Sequence, residues 1–391
     1  MKPDAGTNLA RVEAEAPSTP YHGGERRARG APRWQRLLAA LRYGSANFLL
    51  LLGCLSLVLR GFAPWIVLAF AMAVGSFADE AAGDDRSSIK DATCIFCDLN
   101  LYASLPLVAL LGVLLVRFAG DSDVTTFELI GAIWLTGYLF ALVGATVAHE
   151  LTHRKGTLPQ LSAHALLGFT YNPSFVIYHV YGHHRNVGTY DDASTARRGE
   201  RLRTFIRRAI VDQYTQAAEI EAAHLRRKRR SYWSWRNRLH AAILPSILIL
   251  LAAWLIGGWT GLWVIIAAGV VGRLFHELIN YVQHFGLVRV EGTPIRPHHS
   301  WDCYRTISNA LHYNLPRHSD HHMFAGKAFW QLDAEERAPT LPFGYQTMAL
   351  IALTPPLWRY MMRKLLADWD ARFASEQERA LVRERGWEGL A

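Results

Sequence analysis

The chain has 391 residues, of which 51% are hydrophobic and only 19% are charged. The length allows two soluble domains, but the apolar residues are gathered into long runs, which is typical of an integral membrane protein. The formal net charge of +9 does not predict a nucleic-acid partner, because much of the basic excess lies in loops beside apolar runs, where membrane proteins retain Lys and Arg.

The N-terminal segment, residues 1–43, is polar and rich in Arg, Pro, Gly and Ala. It lacks the apolar core and small-residue cleavage site of a secretory signal peptide. Its composition predicts a disordered tail on the cytoplasmic side. We expect the remaining residues, 44–391, to form one membrane domain.

Apolar runs recur along this domain, and a helix that crosses a bilayer needs roughly 20 such residues. Short connections pair the runs: Arg60-Gly61, an Asp-containing turn after residue 116, and Gly257-Gly258-Trp259. The sequence therefore predicts an all-α integral membrane protein with six transmembrane helices in three hairpins. The predicted spans are 45–59, 62–77, 101–116, 127–148, 241–257 and 262–279.

Lys and Arg are distributed unevenly between the two sides of these hairpins. The segment 149–240 carries many basic residues, including the run 226–230, whereas the short turns offer little beyond Arg60 and Arg117. Because cytoplasmic loops of membrane proteins are enriched in Lys and Arg, this segment and both termini are predicted to be cytoplasmic.

The four cysteines are Cys54, Cys94, Cys97 and Cys303. Their spacing does not form a disulfide framework. Cys94 and Cys97 make a single CxxC, whereas a rubredoxin-type iron site needs two such pairs. We interpret them as two thiols beside a membrane segment.

Histidines cluster just beyond the ends of the apolar runs, all on the predicted cytoplasmic face. Imidazoles favour iron, zinc or copper over magnesium or calcium. In a helix, residues four apart share a face, so these spacings can hold metal ions together. Nine ligands are too many for one ion and suit two. Each cluster alone also fits surface histidines or a hydrogen-bonded network, and the first resembles the HExxH of zinc proteases. The predicted metal ligands are His149, His153, His179, His183, His184, His284, His318, His321 and His322.

Metal-bound imidazoles usually donate their second N–H to a carboxylate or a carbonyl. Glu150, Glu277 and Asp320 lie close enough in sequence to be such outer partners, as do Asp191 and Asp192. Glu277 also lies at the end of the sixth run, where an ionisable group usually faces a functional interior.

Three segments carry a resemblance to a known family. Residues 277–287 resemble the ExxNYxxHxGL motif of bacterial alkane 1-monooxygenases and xylene monooxygenase hydroxylase components, 315–322 resemble LQRHSDHH, and 182–197 resemble GHHxxVATPEDPASAR. These enzymes belong to the integral-membrane di-iron proteins related to fatty acid desaturases. The resemblance implies a multi-pass protein of the bacterial inner membrane, two iron ions held by the nine histidines, O₂ as co-substrate, and Asn280 beside the site.

The resemblance also implies a reaction: hydroxylation of the terminal methyl group of an alkane that enters from the bilayer. Electrons would come from a rubredoxin, or from a ferredoxin with its reductase. Gln283 and the C-terminal segment 366–379 lean toward the xylene enzymes, so methyl hydroxylation of alkyl aromatics is the alternative. An acyl-lipid desaturase and a membrane metal transporter are further alternatives.

Overall fold

The computed structural model describes residues 37–38, 40–91 and 93–390. Within these residues the regular structure is helical, with two isolated β-bridges and no strands. The predicted disordered tail lies outside the described residues as far as position 36. Its last residue, Tyr43, is fully buried, and its hydroxyl accepts a hydrogen bond from Asn314 Nδ2 at 2.8 Å.

The helices follow one another in chain order with short connections. They are α1 (Gly44–Leu59), α2 (Ala63–Ala82), α3 (Ile95–Ala119), α4 (Thr126–Thr152), α5 (Thr157–Gly168), α6 (175–186), α7 (Leu202–Arg227), α8 (Arg238–His284), α9 (Thr306–Leu311), α10 (His318–Met323), α11 (Tyr345–Ala352), α12 (Pro355–Arg372) and α13 (Glu376–Glu384).

Four of the described helices, α2, α3, α4 and α8, are long and apolar enough to cross a membrane, and α1 is a shorter apolar helix. Helix α8 is interrupted at Gly257 and Gly258, whose backbones are not helical. A Cβ on Gly261 would lie 2.5 Å from the Ala253 carbonyl oxygen, so the two halves of α8 fold back on each other. The six predicted apolar runs overlap the helical segments formed in this way.

The predicted hairpin turns are found where the sequence placed them. Arg60 and Gly61 turn the chain between α1 and α2 with φ of 62° and 60°, a conformation that glycine adopts without steric cost. The Arg60 guanidinium lies 2.6 Å from the Asp121 carboxylate in the turn between α3 and α4. This ion pair holds the two turns on the same side of the molecule.

The outer faces of these helices expose many large apolar side chains. On the first half of α8 they include Leu244, Ile247, Leu248, Leu251, Trp254 and Leu255. Soluble monomers rarely expose a continuous apolar surface of this kind. We therefore treat these faces as lipid-facing, with α5–α7 and α9–α13 covering the opposite end of the helices from the short turns.

Cys94 and Cys97 form a disulfide at the start of α3, which corrects their interpretation as two thiols. Cys94 is extended just before the helix begins, and the two Cα atoms lie 5.2 Å apart, within the range that a disulfide requires. The other two cysteines, Cys54 and Cys303, are free and buried.

Candidate metal centre

The nine predicted ligand histidines converge on one region of the protein. They come from the end of α4, from α6, from the end of α8 and from α10. Seven of them are buried, and His153 and His184 are partly exposed. Hydropathy and loop charge placed these segments at one face of the membrane, and the tertiary structure brings their side chains together.

One set of four histidines, which we call the first histidine group, can hold a metal ion. Its ligand atoms all lie within 4.8 Å of one another, and the Nε2 atoms of His153 and His179 are 3.0 Å apart. Helix α4 contributes two members four residues apart on one helical face. The group consists of His149, His153, His179 and His321.

A second histidine group satisfies the same criterion with four fully enclosed side chains. The Nε2 atom of His318 lies 2.9 Å from that of His284 and 3.1 Å from that of His322. The group consists of His183, His284, His318 and His322. Adjacent side chains on α10 thus serve different groups, because His321 joins the first.

The ninth histidine, His184, belongs to neither group of four. Its Nε2 atom lies 3.0 Å from that of His179 and 3.1 Å from that of His321, which places it beside the first group. Its ring centroid is also 4.5 Å from that of His322. His184 therefore lies between the two groups.

The turn of α6 over His179–His183 is π-helical. The rings of these two histidines stay close to each other, with centroids 5.2 Å apart. Nevertheless His179 lies with the first group and His183 with the second. Turns of this kind occur frequently at functional sites.

The imidazole nitrogens of both groups are suited to binding metal ions, because they cannot all hydrogen-bond to one another. Burial, followed by repulsion from the other imidazoles, holds the pKa of His179, His318, His321 and His322 well below its usual range, so these rings are neutral. A neutral imidazole has only one N–H, yet His179 Nε2 faces two other Nε2 atoms. His149 Nε2 is buried without a hydrogen-bond partner. Metal ions would use these lone pairs.

A cavity leads to the histidines from among the apolar helices. His149 and His179 of the first group and His183 and His318 of the second line its inner end. Its other walls are mainly apolar, with side chains from α2, α4, α8 and α11: Met72, Ala141, Leu142, Ala145, Phe275, Leu278, Ile279, Ala349 and Leu350. A largely apolar space is therefore in direct contact with both groups.

The sequence matches known proteins over the region that holds this site. A family model described as fatty acid desaturase matches residues 127–352. The chain is 32% identical to alkane 1-monooxygenase 2 of Pseudomonas aeruginosa over 316 residues, 76% of this chain and 83% of that protein. It is 34% identical to the xylene/toluene monooxygenase hydroxylase component XylM of Pseudomonas putida over 313 residues, 77% of this chain and 83% of that protein. The chain belongs to the family of the alkane 1-monooxygenases and the xylene/toluene monooxygenase hydroxylase component. The resemblance inferred from the three motifs is thereby confirmed.

In this monooxygenase, Asp192 is the carboxylate that orients a histidine of the second group. Its Oδ2 accepts a hydrogen bond from His183 Nδ1 at 2.9 Å, which leaves His183 Nε2 for a metal. Burial opposes ionisation, but His183, Thr195 and Tyr178 outweigh it and hold the pKa of the Asp192 carboxyl well below its usual range. Asp192 lies nine residues from His183, so only the fold of this loop shows which of the two neighbouring aspartates makes the contact.

The four residues expected as outer partners bond elsewhere. Glu150 accepts from Arg154 Nε at 3.0 Å, Asp320 from Lys327 Nζ at 2.8 Å, and Glu277 pairs with Arg273 at 2.9 Å. Asn280 donates to Glu277 at 3.1 Å. The structure thus corrects the expectation that metal-binding imidazoles donate hydrogen bonds to these groups. For Glu150 and Asp320, each adjacent to a ligand histidine in sequence, a helical neighbour one residue away points about 100° aside.

Proposed function

We propose that this chain hydroxylates the terminal methyl group of a hydrocarbon, converting an alkane into a 1-alkanol with O₂ and electrons from a separate protein. The observation that carries the proposal is the junction of the apolar cavity with two histidine groups. The relatives named as alkane 1-monooxygenases support the reaction. A substrate that partitions into the bilayer would enter between the helices and present one chain end to the histidines.

We assign two iron ions to the site, one in each histidine group. Iron bound there would supply the activation of O₂ and the oxidation of a strong C–H bond. The nine histidines, His184 included, would hold the ions, and Asp192 would keep the His183 ring in one orientation. The apolar cavity walls would align the substrate and exclude water from the reacting end.

Methyl hydroxylation of alkyl aromatics is the second candidate, because aromatic side chains line the cavity. Phe175 stacks on the His179 ring with a centroid distance of 4.6 Å, and Phe275 meets the Tyr138 ring at 5.4 Å. Phe175, Phe275 and Tyr138 all line the cavity. Ring edges and faces of this kind can also accommodate an aromatic substrate. The relative XylM carries a xylene and toluene activity in its name.

We further propose a six-span arrangement in the bacterial inner membrane, with both termini and the histidine groups on the cytoplasmic side. The four long apolar helices, the fold-back of α8 and the short apolar α1 support it. A rubredoxin, or a ferredoxin with its reductase, would deliver the electrons. An acidic electron carrier would find complementary charge on the basic segment between Arg197 and Arg238.

Product analysis tests the reaction. Membranes containing the full chain, a rubredoxin and a reductase system receive n-octane, n-hexadecane, p-xylene and p-cymene under ¹⁸O₂, and mass spectrometry identifies the alcohols. We expect ¹⁸O-labelled 1-alkanols, and none from a His321→Ala variant inserted to the same level. Labelled benzylic alcohols alone would assign the chain to the alkyl-aromatic branch. Iron-loaded protein with active reductant and no labelled alcohol would overturn the proposal.

A further inference from the structure

The C-terminal helices α12 and α13 both contact a loop beside the metal centre, residues 296–300. Trp369 of α12 is fully buried and donates from Nε1 to the His298 carbonyl at 2.7 Å. Glu378 of α13 reaches the same loop, with its Oε1 2.6 Å from His299 Nε2 and its Oε2 3.2 Å from His298 Nε2. The end of the chain is thereby anchored beside the second histidine group.

His299 is held in one tautomer by these contacts. Its Nδ1 atom accepts a hydrogen bond from the Arg296 backbone N–H at 3.0 Å. Because Nδ1 is the acceptor of this bond, the N–H of the ring is on Nε2. That N–H donates to Glu378, and the ring and the backbone of His299 cannot rotate without breaking this bond.

The cluster of His298, His299 and Glu378 has the composition of a metal site, but hydrogen bonds already occupy the atoms that would bind an ion. Glu378 is 3% exposed, and its Oε2 also accepts from the Ser375 backbone N–H at 2.7 Å in the capping box of α13. His299 Nε2 and Nδ1 both have partners. The polar atoms of this cluster are therefore hydrogen-bonded without a metal, and the cluster acts by positioning the loop around it.

The His299 carbonyl faces His284 of the second histidine group. The His284 ring is fully buried, and its Nδ1 lies 3.4 Å from the His299 carbonyl oxygen. Its Nε2 lies 2.9 Å from His318 Nε2, on the metal side. A hydrogen bond from Nδ1 to this carbonyl keeps the proton on Nδ1 and leaves the lone pair of Nε2 free for a metal.

We infer that Glu378 is a positioning residue for the second metal position: it fixes His299, and the His299 carbonyl fixes the tautomer and orientation of His284. The second group is thus supported from two sides, by Asp192 directly at His183 and by Glu378 through one intervening residue at His284. Helix α13, more than 90 residues beyond His284 in the chain, then contributes to metal affinity without touching the metal. That the native ion is iron rests on the proposed function, whereas the positioning role of Glu378 can be tested without measuring hydroxylation.

The test is a Co²⁺ titration of the full chain, purified in detergent and stripped of metal, followed by visible absorbance. Outer partners of metal-binding histidines typically contribute 10–100-fold to affinity. We expect Glu378→Ala to raise the Kd of one of two Co²⁺ sites by about 100-fold and to leave the other unchanged. Glu378→Gln, which keeps one acceptor oxygen for His299, should weaken the same site by about 10-fold.

Ser375→Ala is the matched control, because it removes the hydroxyl that caps α13 and leaves the carboxylate on His299 in place. Both of its Co²⁺ affinities should equal those of the parent protein. In a His284→Ala background, Glu378→Ala should not weaken the remaining site further, since its route to the metal is already absent.

An equal loss at both sites would mean general destabilisation and would overturn the inference, as would unchanged affinities in Glu378→Ala. If Glu378→Ala does not accumulate in the membrane, Glu378→Gln decides, and an unchanged Kd in that variant would also overturn it. If the parent protein binds two Co²⁺ ions but its iron-loaded form does not hydroxylate a hydrocarbon, that result would count against the proposed function and not against the positioning role.

Discussion

Desolvation decides the protonation of the histidines at the centre. Burial is the main cause that lowers the pKa of His153, to about 4, and it acts on His184 in the same direction. An imidazole that is neutral at physiological pH offers a lone pair and competes little with protons for a metal. Buried rings of this kind would be costly to charge, so the gathering of seven buried and two partly exposed histidines in one region favours metal binding.

Single histidine substitutions should separate the two groups. His321→Ala removes a member of the first group and His284→Ala a member of the second, so we expect each variant to lose iron and to fall to background activity while inserting normally. His224→Ala, on α7 away from both groups, is the control and should retain both. Iron per chain, membrane content and alcohol yield are measured together. Full activity in both site variants would contradict the ligand assignment.

Asp302 shows the same effect of burial on an acid. It is fully buried, and desolvation is the main cause that raises the pKa of its carboxyl to about 7. The Tyr304 hydroxyl lies 2.8 Å from the Glu335 carbonyl and 2.9 Å from Asp302 Oδ2. It has one hydrogen to donate, so a protonated Asp302 can donate to Tyr304 while Tyr304 donates to Glu335.

This arrangement predicts a pH-dependent stability. Because the folded-state pKa lies above the unfolded value of about 3.9, the stabilisation from Asp302 is complete below that value and is lost as the pH rises through about 7. The thermal unfolding midpoint should therefore fall as the pH rises from about 4 to about 7 and level off above that pH. Asp302→Asn, whose amide can donate to Tyr304 as the protonated acid does, should remove much of that fall. The exposed Asp368→Asn variant should keep it, and an equal fall in Asp302→Asn would contradict the assignment.

At the scale of helices, two features of the packing bring the ligands together. One is the π-helical turn in α6, which carries His179 of the first group and His183 of the second. The other is the close crossing of α4 and α8, the helices whose last turns carry His149 and His284. A Cβ on Gly137 would lie 2.5 Å from the Ala268 carbonyl oxygen, and a Cβ on Gly272 would lie 2.9 Å from the Gly137 carbonyl oxygen. Small residues permit this approach of two membrane helices.

Methyl groups added at this crossing should destabilise the protein. Gly137→Ala and Gly272→Ala force α4 and α8 apart, at a cost of about 1–3 kcal/mol for overpacking. Gly120→Ala is the control, since a Cβ there would make only ordinary van der Waals contacts, with the Arg117 carbonyl oxygen at 3.6 Å and the Val116 carbonyl oxygen at 3.7 Å. The unfolding midpoint in detergent and the iron content should fall in the crossing variants and not in Gly120→Ala. Unchanged values in all three variants would show that the crossing relaxes at no cost.

At the scale of the whole molecule, the charge distribution and the fold support the proposed orientation in the membrane. The turns that hold Arg60 and Asp121 lie together on one side, and the histidine groups, α7 and the C-terminal helices lie on the other. Because Lys and Arg are concentrated in the second set of segments, the bilayer potential and the insertion machinery favour that side in the cytoplasm.

Thiol labelling in intact cells tests this orientation. Asp123→Cys places a thiol in the exposed turn between α3 and α4, and Lys228→Cys places one in the exposed basic loop after α7. We expect a membrane-impermeant maleimide to label the former in spheroplasts and the latter only after permeabilisation. The parent chain is the control, because its two free cysteines are buried. The reverse pattern would invert the topology.

Sequence alone determined the class of fold, the positions of the apolar helices and the nine histidines, because hydropathy, helical spacing and ligand chemistry are local properties of the chain. It also indicated the family from three motifs. The tertiary structure decided how the histidines divide, because the two groups of four and the place of His184 between them depend on packing between segments. It likewise decided that Asp192 contacts His183 and that Glu378 contacts His299, since folding brings side chains that are distant in sequence into contact.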